Sequence, residues 1–387
     1  MNSILSMLAS DKRQADPIVH AEPSTGVLPI QAIKNLVREG IVTSVDEIAA
    51  DQYQPASLDL RLGDVAYRVR ASFLPGPQAT VLDKIKALDG YAIDLTRPEG
   101  AVLERGCVYV IPLQESISLT GPITGLANPK SSAGRLDILT RLIADKSAAF
   151  DQIEQNYGGP LFVELAPRTF SIVVHRGSRV NQLRFLRHSG IVASSELARR
   201  FNEGALVSPR TDESQLRDGM VSVTIDLKGS GKDSLIGYRA QKHTDRIDID
   251  KVGAYAARDF WEPIYNLGDR PIILDPNDFY ILATREFVSV PPEFAAEMVA
   301  YDTTVGEFRV HYAGFFDPGF GYGPDGPQSK AVLEVRSHEV PFMLEHCQTI
   351  GWLRYDRMAA RPERLYGSQM GSNYQNQGLA LAKQFRS

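Results

Sequence analysis

The chain has 387 residues, with 42 basic against 47 acidic side chains and a formal net charge of −5. That length suits two domains of about 100 to 200 residues better than one core, and the charge balance supplies no broad positive field for the backbone of a nucleic acid, only local cations that could hold a small anion. Two cysteines are too few for a disulfide scaffold or a cysteine-rich metal site, and no stretch approaches the roughly 18 apolar residues of a membrane span.

The opening MNSILSMLASDKRQADP has no basic start of the secretory kind, so a cytoplasmic chain with a flexible segment over 1–25 is expected. Pro29 followed by Ile30, Ile33, Leu36 and Val37, closing at Glu39-Gly40, predicts a short amphipathic helix with proline at its start and glycine at its stop. Leu197, Ala198 and Phe201, closing at Glu203-Gly204, echo it 164 residues later. Ser57 to Leu62 alternates apolar and polar residues like a half-buried strand, and Val221 to Leu227 does so again. Leu103 to Ser132 then parallels Leu274 to Thr304, and Glu164 to Phe185 returns as Glu334 to Tyr355 at a constant offset of 170.

Four ordered matches with slowly drifting spacing point to a tandem duplication rather than a short-period solenoid. The repeated unit is short strands punctuated by glycine and proline with one brief helix, which favours a mostly β sandwich or barrel-like domain over a parallel α/β sheet. The expected layout is a first domain over 26–190, a second over 191–361, and a polar, aromatic-tipped tail over 362–387 that belongs to neither core and acts as a mobile flap.

Three motifs fail. His20-Ala21-Glu22 matches the first fragment of a zinc deaminase, but no Pro-Cys-x-x-Cys follows anywhere. Gly229-Ser230-Gly231-Lys232 suggests a phosphate loop, yet Asp226 stands where its first glycine belongs, and a hairpin turn is the expected reading. Cys107 and Cys347, in strand-like apolar settings, are expected to pack in the core. One cluster holds more promise. Over Asn128 to Arg135, Lys130, Ser131, Ser132, Ala133, Gly134 and Arg135 combine a lysine, two hydroxyls, a small flexible pair and an arginine, a run able to present several donors to phosphate oxygens. In the second copy, Asp317-Pro318-Gly319 can be a plain turn, whereas Glu334 lies in the apolar run Val332-Leu333-Glu334-Val335, where burial would raise its proton affinity toward that of a general acid and base.

Taken together, Pro55-Ala-Ser-Leu-Asp-Leu-Arg-Leu-Gly63, Lys130 to Arg135, Ala313-Gly-Phe-Phe-Asp-Pro-Gly-Phe320, Val332-Leu-Glu334 and the Tyr374-Gln-Asn-Gln-Gly378 tail resemble the deoxycytidine triphosphate deaminase branch of the dUTPase-like superfamily over nearly the whole chain. The resemblance implies two tandem dUTPase-like domains of the β-clip type, each a distorted barrel or jelly roll, and a zinc-independent enzyme acting on a small nucleotide, with no nucleic-acid or membrane partner. It implies Mg2+ bound through the triphosphate and a homo-oligomer, because family members are usually single domains that trimerise with sites between subunits.

In such sites the Ser-Ser-x-x-Arg motif comes from one subunit and the Asp-Pro-Gly and Val-Leu-Glu motifs from its neighbour. Here the first copy keeps Lys130, Ser131, Ser132 and Arg135, and the second keeps Asp317 and Glu334 but carries Asp302, Thr303, Thr304 and Glu307 where the cationic motif would fall. One composite site is therefore expected, with its reciprocal degenerate. By resemblance, Lys130 to Arg135 hold phosphates, with Ser131 and Arg135 also positioning the water and the catalytic carboxylate. Asp317 meets the sugar hydroxyl, Val332 and Leu333 offer backbone groups to the base, and Glu334 moves protons during attack on C4. Tyr366 and Gln377 close over the nucleotide, and Asn373 stands where the family often has lysine. Glu164, the first copy's glutamate, is the alternative base. The expected reaction is dCTP to dUTP and ammonia, with dUTP diphosphatase or combined activity as the alternative and a non-catalytic nucleotide sensor as the second.

Overall fold

A computed structural model describes residues 24–210, 214–229, 234–266, 268, 270–299, 308–311, 314–337, 339–367 and 377–386. Among these, no helix is long and apolar enough to cross a membrane. The duplication is written into the strand pairing. In the first half a sheet runs in the order Tyr91–Asp94, Val65–Val69, Val108–Ser118, Gly158–Pro167, Ile138–Ala144, with Val42–Ser44 also on Val108–Ser118. In the second half the order Trp261–Tyr265, Leu235–Ala240, Phe279–Val288, Ser329–Ser337, Phe308–His311 repeats it, with Val207–Ser208 on Phe279–Val288. The register repeats as well: Glu164 faces Val110 and Arg141 on its two neighbours, and Glu334 faces Ile281 and His311 on the equivalent ones.

The two brief helices form where the residue pattern places them. Ile30–Arg38 starts after an extended Pro29 and buries Ile30, Ile33 and Leu36 on one face, and Gly40, at φ +72°, turns the chain out of it. Ser194–Asn202 buries Leu197 and Phe201 and ends at Gly204, at φ +70°.

The halves interlock rather than merely abut. Ile247–Asp248 from the second half adds in parallel to Ile172–Val174 of the first, and Ile247, Ile249, Phe260 and Trp261 join the first half's core. Gly26, at φ +124°, lies so close to the Arg357 carbonyl that no Cβ would fit between them. Across the seam, the buried Arg336 guanidinium pairs with buried Asp137 and donates to Thr169 Oγ1 at 2.9 Å.

Three expectations need correction. The tail does not stand apart from both cores over its described end: Ala382 and Phe385 belong to the first half's core, and Phe385 packs edge-on against Phe260 and Trp261, because an aromatic ring buries too much apolar surface to stay in water. The strand Leu58–Arg61 is buried on both faces, since Asp59 and Arg61 find partners in Lys130 and Glu115. Cys107 and Cys347 sit at turns before Val108–Ser118 and Thr349–Arg357, only partly buried, and Cys107 Sγ accepts from Arg68 at 3.1 Å. Of the Gly229 to Lys232 turn only Gly229 is described, so that reading lies outside the described residues, as does His20-Ala21-Glu22.

Removing one member of a buried ion pair strands the other, so Arg336→Ala should destabilise the fold by about 3–5 kcal/mol. A shift of the urea midpoint without loss of cooperativity measures it.

Candidate active site

The strand Ile123–Pro129 leads straight into Lys130, whose N–H donates to Val180 O at 2.9 Å and whose ammonium pairs with buried Asp59. A single turn, Ser131–Gly134, follows; Ser132, Ala133 and Gly134 are buried, which only small residues allow where the turn presses on the core. Arg135 caps that turn and is 3% exposed, a depth at which a guanidinium needs several acceptors. It donates to Ala380 O at 3.1 Å, Leu381 O at 3.4 Å and Gln377 Oε1 at 3.0 Å. Gln377 in turn donates to Lys330 O at 3.2 Å, tying the returning tail to the strand Ser329–Ser337.

The second half supplies the facing wall. Asp317 follows the short strand Phe315–Phe316 at the start of a turn in which Gly319, at φ +98°, packs against Leu365 and Tyr366 with no space for a side chain. Tyr366 N–H donates to Pro318 O at 2.8 Å, and its ring lies 5.6 Å from that of Phe320. Burial pushes the Asp317 carboxyl up in pKa, Arg184 draws it back and Asp59 adds to the rise. Arg184 comes from the first half, lies fully buried over the ring of Phe315 at 3.9 Å, and reaches Asp317 Oδ1 at 3.5 Å and Ala296 O at 3.2 Å.

Glu334 is a second buried acid of this wall. Burial raises its pKa to about 8, with the Arg135 cation opposing and the Asp137 anion adding to the rise. A carboxyl that titrates near neutral pH can both accept and return a proton.

Lys130, Ser131, Ser132, Arg135, Asp317, Val332, Glu334, Tyr366 and Gln377 line one cavity of about 530 Å³. Residues from both copies of one chain therefore meet. Ala133, Gly134 and Leu333 do not line it: the first two support the turn, and Leu333 turns into the second half's core while Val332 and Glu334, two residues apart, share the cavity face. Asn373 lies outside the described residues, as do Asp302, Thr303, Thr304 and Glu307.

Glu164 lies away from this cavity. It is buried, and its Oε1 accepts from Arg141 Nε at 3.1 Å and Nη2 at 2.5 Å, with Arg141 itself stacked on Phe150.

Sequence reasoning missed Asp51, Asp59, Arg179, Gln182, Asp250 and Lys383, which also line the cavity, and Arg184 behind it. The Asp59-Leu60-Arg61 run was legible as a strand but not as a buried polar edge; Lys383 had no local signal at all.

The tandem, mostly β architecture is consistent with a dUTPase-like fold with two domains. Family models for the N-terminal and C-terminal domains of 2′-deoxycytidine 5′-triphosphate deaminase match residues 24–196 and 193–385, and the chain belongs to that family. A crystal structure of 2′-deoxycytidine 5′-triphosphate deaminase from Agrobacterium tumefaciens matches with a TM-score of 0.83 and 50% identity, over 88% of this chain and 100% of that one. The dCTP deaminase of Natronomonas pharaonis is 27% identical over 195 residues, 48% of this chain and 90% of its own. The dUMP-forming dCTP deaminase of Halobacterium salinarum is 29% identical over 203 residues, 51% of this chain and 95% of its own. Relatives covered almost entirely by half of this chain are what a duplicated single domain predicts.

The raised acid of Glu334 leaves a mark on stability. Its carboxyl holds a proton in the folded state up to about pH 8 but gives it up near the ordinary value of 4.5 when unfolded. The folded state is thus progressively penalised as pH rises between those limits. Glu334→Gln should match the parent in melting temperature near pH 4.5 and exceed it by several degrees at pH 8.5; scanning calorimetry across that range reads the difference.

Proposed function

We propose that the chain deaminates dCTP hydrolytically at the cavity between its two copies. The observation that carries the reading is the meeting of a buried, near-neutral Glu334 from the second copy with Arg135 and Ser131 from the first. Glu334 takes a proton from a water whose oxygen adds to C4 of the cytosine. The C4–N3 double-bond pair moves onto N3 as the oxygen adds; the amino group then receives the proton back from the same carboxyl and leaves as ammonia, and the proton of the added hydroxyl ends on N3, so that a C4 carbonyl remains. Arg135 and Ser131 position the water and favour the ionised carboxylate in the first step. Asp317 accepts from the deoxyribose hydroxyl, Val332 presents main-chain groups to the base, and Lys130 with Ser131 and Ser132 holds phosphate.

Asp51, Asp59 and Asp250 add hard oxygen donors to the lining, the donor type Mg2+ takes. Asp51 accepts from Arg179 at 2.9 Å and Asp250 from Ser178 at 2.5 Å. Such engaged carboxylates suit a Mg2+ that arrives on the triphosphate and keeps much of its water, neutralising charge at the mouth. This site draws its walls from one chain, so an oligomer, expected from the family, would not be needed to complete it.

Purified protein with Mg2+ and dCTP should release ammonia and form a deaminated nucleotide. Loss of the proton carrier typically costs about 10²–10⁴ in rate, so Glu334→Gln should fall by about 10³ while Glu164→Gln stays within about tenfold of the parent. The opposite pattern would move the base to the first copy. A combined deaminase and diphosphatase is the second reading, favoured by the dUMP-forming name of the Halobacterium relative; pyrophosphate appearing with ammonia identifies it. Nucleotide binding with neither product would instead mark a sensor.

A further inference from the structure

The returning tail brings one more cation to the cavity, and the fold fixes it there. Gly253 N–H donates to Lys383 O at 2.9 Å and Tyr255 N–H to Gln384 O at 3.1 Å, so this stretch is bolted to residues 253–255 by main-chain bonds. Ala382 and Phe385 are buried in the first half's core on either side, and Gln384 is buried with its amide donating to Ile249 O at 2.6 Å. Between these anchors the Lys383 side chain enters the cavity lining. A lysine held this way has already given up much of the backbone freedom that an ordinary surface lysine would lose on binding.

Its surroundings do not favour a cation by themselves. Burial and the nearby charges of Lys130 and Arg179 push its pKa down, against the pull of Asp250 and Asp59. Lys130, Arg179 and Lys383, three cations from three separate segments, thus line one cavity. Glu334, from the strand Ser329–Ser337, lines the same cavity as these cations. An elongated ligand with its reacting carbon at Glu334 and its anionic end at the cluster satisfies both.

We infer that Lys383 binds the outer phosphates of the substrate together with Lys130 and Arg179, and so sets a preference for the triphosphate over shorter forms of the nucleotide. The inference rests on the proposed reaction for its substrate but not for its anion. One charge-assisted contact corresponds to roughly a tenfold change in affinity. Lys383→Ala should therefore raise KM for dCTP about tenfold with kcat within about twofold, leave dCMP, as substrate or competitive inhibitor, little changed, and be restored by Lys383→Arg. A merely structural role would instead weaken both nucleotides together and lower the melting temperature.

Calorimetric titration of the full chain with inorganic tripolyphosphate and Mg2+ separates the two readings. If the parent turns over no dCTP yet binds tripolyphosphate about tenfold more tightly than Lys383→Ala, the reaction fails and the phosphate site stands. Unchanged dCTP KM and unchanged tripolyphosphate affinity in Lys383→Ala, with an active parent, would overturn the phosphate site alone.

Discussion

The guanidinium of Arg135 faces two ways, and the site is organised by that fact. On one side it is satisfied by Gln377 and by the carbonyls of Ala380 and Leu381, which dock the tail; on the other its charge opposes the burial that would otherwise keep Glu334 protonated. A carboxyl in an apolar strand with no cation nearby would hold its proton well above neutral pH, and one exposed to water would lose it near pH 4.5. Burial with Arg135 opposing it puts the pKa of Glu334 at about 8. Because Arg135 comes from the first copy and Glu334 from the second, the charge that Arg135 sets against the burial of Glu334 depends on the seam staying closed, and the buried Arg336–Asp137 pair helps close it.

The same register gives two different outcomes. Arg141 stands opposite Glu164 just as His311 stands opposite Glu334. In the first copy the arginine neutralises the glutamate within its own half, and neighbouring Asp151 is pushed up to about 7, mainly by burial. That glutamate is thereby engaged within its own sheet and is not part of the cavity lining that Glu334 joins. Duplication preserved the scaffold and the glutamate but not its surroundings.

Much of the architecture was legible from local chemistry. Pro29 and Gly40 bracket the first helix, and the glutamate strands recur at a fixed offset. What escaped was set by tertiary contact. Alternation around Asp59 and Arg61 predicts a wet face, yet both residues are buried because partners distant in sequence, Lys130 and Glu115, satisfy them. The polar composition of the tail suggested mobility, whereas two apolar residues, Ala382 and Phe385, suffice to moor its described end. Arg184 reads as one more polar residue in a strand, and nothing local reveals that it passes behind the site to reach Asp317.

The Arg141–Glu164 pair also bears on how such a chain can change over time. When identical subunits build a ring, each substitution is imposed on every seam at once, and a change that helps one role must be tolerated in all the others. Two linked copies escape that rule: the strand around Glu164 can be altered while its counterpart around Glu334 is left as it was. One gene thereby gains two halves that can diverge separately, and the cation settled against Glu164, where His311 takes the matching register position beside Glu334, is one such divergence.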